Sequence, residues 1–264
     1  MGGEGEGRGL PQMSQAEVMK LLLTQDIDRD QTEPKVAASI GEQMLHMDIP
    51  LLPKSVRSRI RDVCSRVSPR NAVIVGGGIG HLSAWLFDLW CDDSIVEGEV
   101  EQIRPDSFRI IEPGARFGVI IDRLIRRYES ESWAKVISSS WQAVFAESMS
   151  YMASSIALQE TAPGSLLPMP VDLLIVDVPE EERVQATASA FDLVSPGGLV
   201  LALEPTVPTG DVGMIEISEG PTPAQAKVKS FNEWIELVKI VNDDHSLGFV
   251  ELSGGTLVAL LKCG

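Results

Sequence analysis

The stretch Asn71-Ala-Val-Ile-Val-Gly-Gly-Gly-Ile-Gly80 runs a short segment of buried-strand character directly into a glycine cluster. The adjoining run, His81-Leu-Ser-Ala-Trp-Leu-Phe-Asp-Leu-Trp90, reads as a helix. Strand, turn and helix start together make a cradle for a nucleotide-like ligand. Gly76, Gly78 and Gly80 let the backbone take positive φ and admit a ligand where a Cβ would otherwise stand. The first N–H groups of the helix add a partial positive charge. A GxGxG pattern also serves any tight strand-to-helix turn in an α/β protein, so the flanking chain has to separate the two readings.

From Asn71 onward, strands and helices alternate. Apolar runs predict strands over 72–75, 108–112, 134–138, 171–177 and 199–204, with helices over 82–90, 116–129, 141–158 and 180–193 between them. That grammar is a doubly wound α/β sheet of the Rossmann-like kind. Val-Asp-Leu-Leu-Ile-Val and Leu-Val-Leu-Ala-Leu are nearly all apolar, as strands covered on both faces should be. After residue 204 the pattern changes to a loop over 206–223, a helix over 224–241 and a C-terminal antiparallel hairpin, 247–252 with 256–262, around Ser253-Gly-Gly255. The expected sheet therefore has seven strands. Upstream, residues 1–12 form a Gly- and Glu-rich tail expected to be disordered, and 13–69 a helical extension. That extension carries helices over 14–24 and 33–47 and a basic helix opened by Pro53. Residues 70–264 are the ligand-binding domain. Segment 92–106 reads as an acidic insertion and 161–170 as an exposed Pro-rich loop.

With 264 residues, 44% hydrophobic and 23% charged, the chain has ordinary globular composition and length enough for a full core. A formal net charge of −16 argues against a nucleic-acid partner, which needs clustered Lys and Arg. The basic run Lys54, Arg57, Arg59, Arg61, Arg66 and Arg70 reads as the solvated face of a helix, with Val56, Ile60, Val63 and Val67 beneath. Cys64, Cys91 and Cys263 are scattered, and neither they nor His46, His81 and His245 have metal-ligand spacing. No apolar run reaches membrane length and the N-terminus lacks a signal peptide's apolar core, so a cytoplasmic enzyme with no membrane partner is expected.

In an open α/β sheet, ligands sit beyond the carboxyl ends of the strands where the winding reverses. That rule gathers Gly76, Gly78, Gly80, Glu112, Ser140, Trp141 and Asp177 around one crevice. Glu112 closes the second strand, where a carboxylate can accept both hydroxyls of a ribose; a helix-start acid before Pro113-Gly114 is its other reading. Ser140 and Trp141 come after the third strand and offer a hydroxyl and an indole to an adenine, although Trp141 also suits a core position. Asp177 ends an apolar strand, where a carboxylate is expensive unless it faces a crevice or a partner. It could orient a ligand ammonium, a metal or a substrate proton. The row Glu180-Glu181-Glu182 suits the helix dipole that it opens.

These residues resemble the S-adenosylmethionine-dependent O-methyltransferases of the catechol and caffeoyl-CoA type over 50–262. Gly76-Gly-Gly-Ile-Gly80 is similar to that family's glycine motif for the methionine part of the cofactor, and Ile110-Ile-Glu112 to its ribose-binding acid. Asp172-Leu-Leu-Ile-Val-Asp177 looks like its strand ending in a metal-binding Asp, and Leu193-Val-Ser-Pro-Gly-Gly-Leu-Val-Leu201 like its turn into the fifth strand. The segments Ser230-Phe-Asn-Glu-Trp234 and Leu252-Ser-Gly-Gly-Thr-Leu-Val-Ala-Leu-Leu-Lys262 match its closing "FN … GDGL … K".

The departures are as informative. Leu203-Glu204-Pro205 stands where the family has Asp-Asn metal ligands, Glu180 stands in place of its Lys, and Ile74 in place of a Glu before the glycines. The resemblance thus implies S-adenosylmethionine as cofactor, a small-molecule acceptor carrying a hydroxyl, and a homodimer. Asp177 and Glu204 become the catalytic candidates. A divalent metal stays open, since those two carboxylates could hold one, but no metal site is assigned. Methyl transfer asks chiefly for in-line positioning and a base, so lost metal ligands need not mean lost activity. Two other readings compete. The glycine run also resembles the spermidine-making aminopropyltransferases, whose acid after the glycines and C-terminal end differ from those here. A degenerate relative with a structural or regulatory role is the other. The acceptor pocket is expected from the 48–53 and 206–223 segments.

Overall fold

The computed structural model describes residues 19–20, 33–67, 69–91, 104–158, 165–209 and 222–264. The 1–12 tail, all but two residues of the 14–24 helix, most of the 92–106 insertion and the core of the 206–223 loop lie outside those residues. In chain order the elements are α1 (Lys35–His46), α2 (Lys54–Cys64), β1 (Asn71–Val75), α3 (His81–Trp90), β2 (Ser107–Ile111), α4 (Ala115–Arg127), β3 (Ala134–Ile137) and α5 (Trp141–Leu158). Next come β4 (Val171–Val176), α6 (Glu180–Leu193), β5 (Val194–Leu203), α7 (Pro223–Asp244), β6 (Ser246–Leu252) and β7 (Gly255–Leu261).

The seven strands form one sheet in the order β3-β2-β1-β4-β5-β7-β6. β1 pairs in parallel with β2 and β4, β2 with β3, and β4 with β5. β7 inserts antiparallel beside β5, and β6 pairs antiparallel with β7 at the edge. The winding therefore reverses between β1 and β4, as a doubly wound sheet with a closing hairpin requires. β4 illustrates why its apolar run makes a central strand. Leu173 and Ile175 face one core, Val171, Leu174 and Val176 the other, and all five are buried.

On the first face, Ala37, Ile40, Val56 and Ile60 from α1 and α2 share one cluster with Trp85 and Phe87 of α3 and with the sheet. The aromatic part of that core is layered: Phe87 stacks on Tyr128 at 5.3 Å and meets Phe108 edge-on at 5.5 Å. The second face is covered by α5, α6 and α7 through Val144, Phe191 and Trp234. A capping box starts α7: Thr222 Oγ1 accepts from the Gln225 N–H while Gln225 Oε1 accepts from the Thr222 N–H.

Three expectations need correction. The basic run is solvated only at its ends, Lys54 and Arg70: Arg57 and Arg59 are buried, and Arg61 and Arg66 are largely covered. Their charges are paired, Arg59 and Arg66 with the buried Asp62 and Arg61 with Asp88 of α3 at 2.8 Å. Val56, Ser58, Ile60, Asp62 and Val63 are buried too, so α2 is covered on more than its apolar side. The 161–170 loop is not simply exposed either, because Leu167 is fully buried in the second core. Finally, β5 begins at Val194 rather than near residue 199, with a register shift opposite Val171 and Leu173 that absorbs Pro196-Gly197-Gly198.

The hairpin also explains the closing lysine. Lys262 Nζ donates to the carbonyls of Phe191 and Asp192, both at 2.9 Å, at the C-terminus of α6, and lies 5.5 Å from the Phe191 ring centroid. A cation there satisfies carbonyls that the helix leaves unpaired. Lys262→Met should lower stability by about 1–2 kcal/mol, seen as a lower urea midpoint at unchanged m-value. An unmoved midpoint would deny the cap any energetic role.

Candidate functional site

The carboxyl ends of β1, β2 and β4 meet at the winding reversal. The Asp177 N–H donates to the Val75 carbonyl at 2.8 Å, and the Gly76 and Gly77 N–H groups both donate to the Ile111 carbonyl at 3.0 Å. These bonds carry the sheet pairing past the strand ends and fix the glycine turn between its two neighbours. Gly76, Gly78 and Gly80 all have positive φ, at 89°, 52° and 88°.

The three glycines differ in what a side chain would meet. A Cβ on Gly76 would strike the Asp177 carbonyl, and one on Gly80 would come within 2.9 Å of Leu124. Those two positions serve packing. A Cβ on Gly78 would meet nothing within 4 Å, because Gly78 borders open cavity. Its φ of 52° by itself favours glycine, and the space in front of it leaves room for a ligand lying on the backbone.

Glu112 completes the cradle. Its Oε2 accepts from the Gly78 N–H at 2.7 Å and its Oε1 from the Gly114 N–H at 2.8 Å. Burial pushes this carboxyl above the ordinary range, against the pull of the two N–H groups. The side chain is only 6% exposed, yet it lines the cavity. Each carboxylate oxygen has two lone pairs, so one backbone bond apiece leaves acceptor capacity toward the open side.

The cavity measures about 1400 Å³. Gly76, Gly78, Glu112, Ser140, Trp141, Asp177 and Glu204 all line it. Gly80 does not; it sits behind the turn as the residue before α3. Trp141 belongs to the second core and also lines the cavity. It is 6% exposed and its Nε1 donates to Ser189 Oγ at 2.7 Å, so the indole is tied to α6 while part of it reaches the cavity. Ser140 is exposed and its hydroxyl accepts from the Ala143 N–H at 3.3 Å, which starts α5. Residues 49–53 line the same cavity, together with Thr206 and Val207.

Asp177 has its carboxyl pushed up to about 7 by burial, with Arg183 and then Arg57 pulling the other way. Glu204 Oε1 accepts from the Trp234 indole N–H at 3.2 Å, which orients the side chain from α7. Glu180 accepts from both the N–H and the hydroxyl of Thr206 at 3.1 Å. It therefore holds the segment after β5 in place. Among the described residues, no three His, Cys, Asp or Glu side chains converge as a metal site.

Three cavity residues went unread in the sequence: Arg57, His81 and Arg183. Arg57 Nη1 donates to Glu33 Oε1 at 2.9 Å and also meets the His81 ring, with Nδ1 at 3.2 Å. Burial, and next the Arg57 charge, bring the His81 pKa down to about 4, so the imidazole is neutral at neutral pH. Arg183 sits among Glu180, Asp177 and Glu181 and donates to the Val178 carbonyl at 3.4 Å. A signal was present, since His81 comes directly after the glycines. Nothing local, however, says that Arg57 reaches it from 24 residues away.

No protein-family model and no curated protein matches the sequence. Solved structures do match in fold. An O-methyltransferase from Bacillus cereus, in complex with SAH (S-adenosylhomocysteine), is 13% identical with a TM-score of 0.59, covering 88% of this chain and 93% of its own. TomG from Streptomyces achromogenes, an O-methyltransferase of tomaymycin synthesis in complex with SAM, is 14% identical with a TM-score of 0.58, covering 88% and 91%. A methyltransferase from Geobacter sulfurreducens is 12% identical with a TM-score of 0.53, covering 87% and 92%. The fold of this chain is thus that of S-adenosylmethionine-dependent O-methyltransferases, reached at low identity.

Proposed function

We propose that this protein is an S-adenosylmethionine-dependent methyltransferase acting on the hydroxyl of a small molecule. The observation that carries the reading is the 2.7 Å bond between Glu112 and the Gly78 N–H at the edge of a cavity that stays open beyond Gly78. Glycine backbone and acid are held together and turned to the same hollow, as a ligand bearing both a ribose and a chain lying on the turn demands.

The bound cofactor would supply a methyl group on an electrophilic sulfonium. The chain's own contribution is positioning and one proton. Glu112 accepts from ribose hydroxyls, Trp141 and Ser140 border the base, and Gly78 lets the methionine portion approach the backbone. Asp177 takes the ligand's ammonium. Glu204, steadied by Trp234, accepts the proton that the acceptor hydroxyl gives up as its oxygen attacks. Residues 49–53 and the Thr206 segment held by Glu180 cover the acceptor and keep water out. Two carboxylates are fewer oxygen donors than a divalent site commonly uses, so no step here runs through a metal.

Calorimetry with S-adenosylmethionine, S-adenosylhomocysteine and decarboxylated S-adenosylmethionine tests the reading. Binding of the first two is expected, and weaker binding of the third. Tight binding of the decarboxylated form alone would indicate aminopropyl transfer, and no binding at all a degenerate protein. Among the described residues no helix is long and apolar enough to cross a membrane. The homodimer that the resemblance implies is read directly by sedimentation.

A further inference from the structure

Arg57 is a buried cation that its protein neighbours use only in part. All its side-chain hydrogen bonds among the described residues run through Nη1, to Glu33 and His81, and its Nε has no partner. The guanidinium carbon also lies 5.5 Å from the Trp85 ring centroid, within cation–π range. It lines the cavity, touches the residue directly after the glycine turn, and is attracted by Asp177. An unspent, preoriented guanidinium facing a hollow lined by Glu112, Asp177, Glu180 and Glu204 is the place for a ligand's negative group. Arg183 is a poorer one, because Glu180, Asp177 and Glu181 already surround it.

Resting on the methyltransferase reading, we infer that Arg57 binds the carboxylate of the cofactor's methionine end while Asp177 faces its ammonium. The two side chains then read an α-amino acid as a zwitterion, one charge from each side of the turn. Glu33 and His81 are positioning residues: they hold Nη1 and leave Nη2, which unlike the buried Nε is not sealed from the cavity, for the ligand. His81 does this as a neutral ring and adds no competing charge. The N-terminal extension therefore contributes to the cofactor site as well as to the core.

The experiment compares S-adenosylhomocysteine with its decarboxylated analogue, which keeps the ammonium, by calorimetry on the full chain. Wild type should prefer the carboxylate-bearing ligand by roughly tenfold or more, the scale of one charged hydrogen bond. In Arg57→Gln that preference should shrink to less than about threefold, the decarboxylated ligand binding as in wild type. An unchanged preference in the variant overturns the assignment and leaves an acceptor carboxylate as the group Arg57 would meet. Should Arg57→Gln not fold, the wild-type arm still decides, since equal affinity for the two ligands overturns the inference while the methyltransferase reading stands. If neither ligand binds wild type, both fall together.

Discussion

Glu112→Ala lowers affinity for S-adenosylhomocysteine by about 1–3 kcal/mol, roughly 5- to 150-fold. The loss has two sources. The ribose hydroxyls lose a charged acceptor, and the glycine turn loses the strut that shapes it, because Gly78 and Gly114 both donate to this carboxylate. Two N–H groups left without an acceptor also lower stability, by about 1–3 kcal/mol in sum, since water from the cavity can replace part of what is lost. Glu112→Gln separates the effects. It keeps one acceptor oxygen but turns an NH₂ toward a backbone donor, so it should approach alanine in affinity while holding more stability. Calorimetry and urea melts on both variants provide the readout. A folded Glu112→Ala protein with undiminished affinity would remove the residue from the site.

Asp177 should make cofactor binding depend on pH. Its folded pKa of about 7 lies above the ordinary carboxylate value, because burial outweighs Arg183 and Arg57. Between about pH 4 and 7 the folded apo protein therefore holds a proton that the unfolded chain has released, and stability falls as pH rises through that window. The decline is on the order of 2–4 kcal/mol and is complete above about pH 7. Asp177→Asn should remove it. An ammonium placed beside Asp177 favours its charged form, so binding releases the proton. Affinity should then climb with pH, by up to about tenfold per unit between about pH 5 and 7, and level off above. Titrations in two buffers of different ionisation enthalpy count the proton. Glu180 and Glu181 face Arg183 in the same corner, so the Asn variant is the control that assigns the slope to Asp177. A wild-type affinity flat across this range would remove the ammonium from Asp177.

Much of the architecture can be read along the chain because it arises from short-range patterns. Five apolar segments separated by helical stretches demand a sheet covered on both faces, and Ser253-Gly-Gly255 between two alternating runs demands a hairpin. The crevice is a consequence of the same order. Gly76, Gly78, Glu112, Asp177 and Glu204 come together because each stands at the carboxyl end of a strand, and strand ends converge by topology. The 49–53 wall was legible too, as a break between helices, and it lines the same cavity.

The arginines of α2 show where such patterns stop. A basic stripe at helical spacing tells which residues share a side of the helix, not what covers that side. Arg59 and Arg66 pair with Asp62 of the same helix, a spacing visible in the sequence, but the Arg61 pair with Asp88 of α3 and the burial of Arg57 and Arg59 arise only from packing. Likewise Trp141 is held by Ser189, Glu204 by Trp234, and Arg57 by Glu33 and His81. Periodicity is set by the backbone and survives in any neighbourhood, which is why fold and crevice are written in the chain. Apart from pairs one helical turn apart, charge pairing and the orientation of a polar group depend on partners tens of residues away, whose distance exists only after the helices have packed.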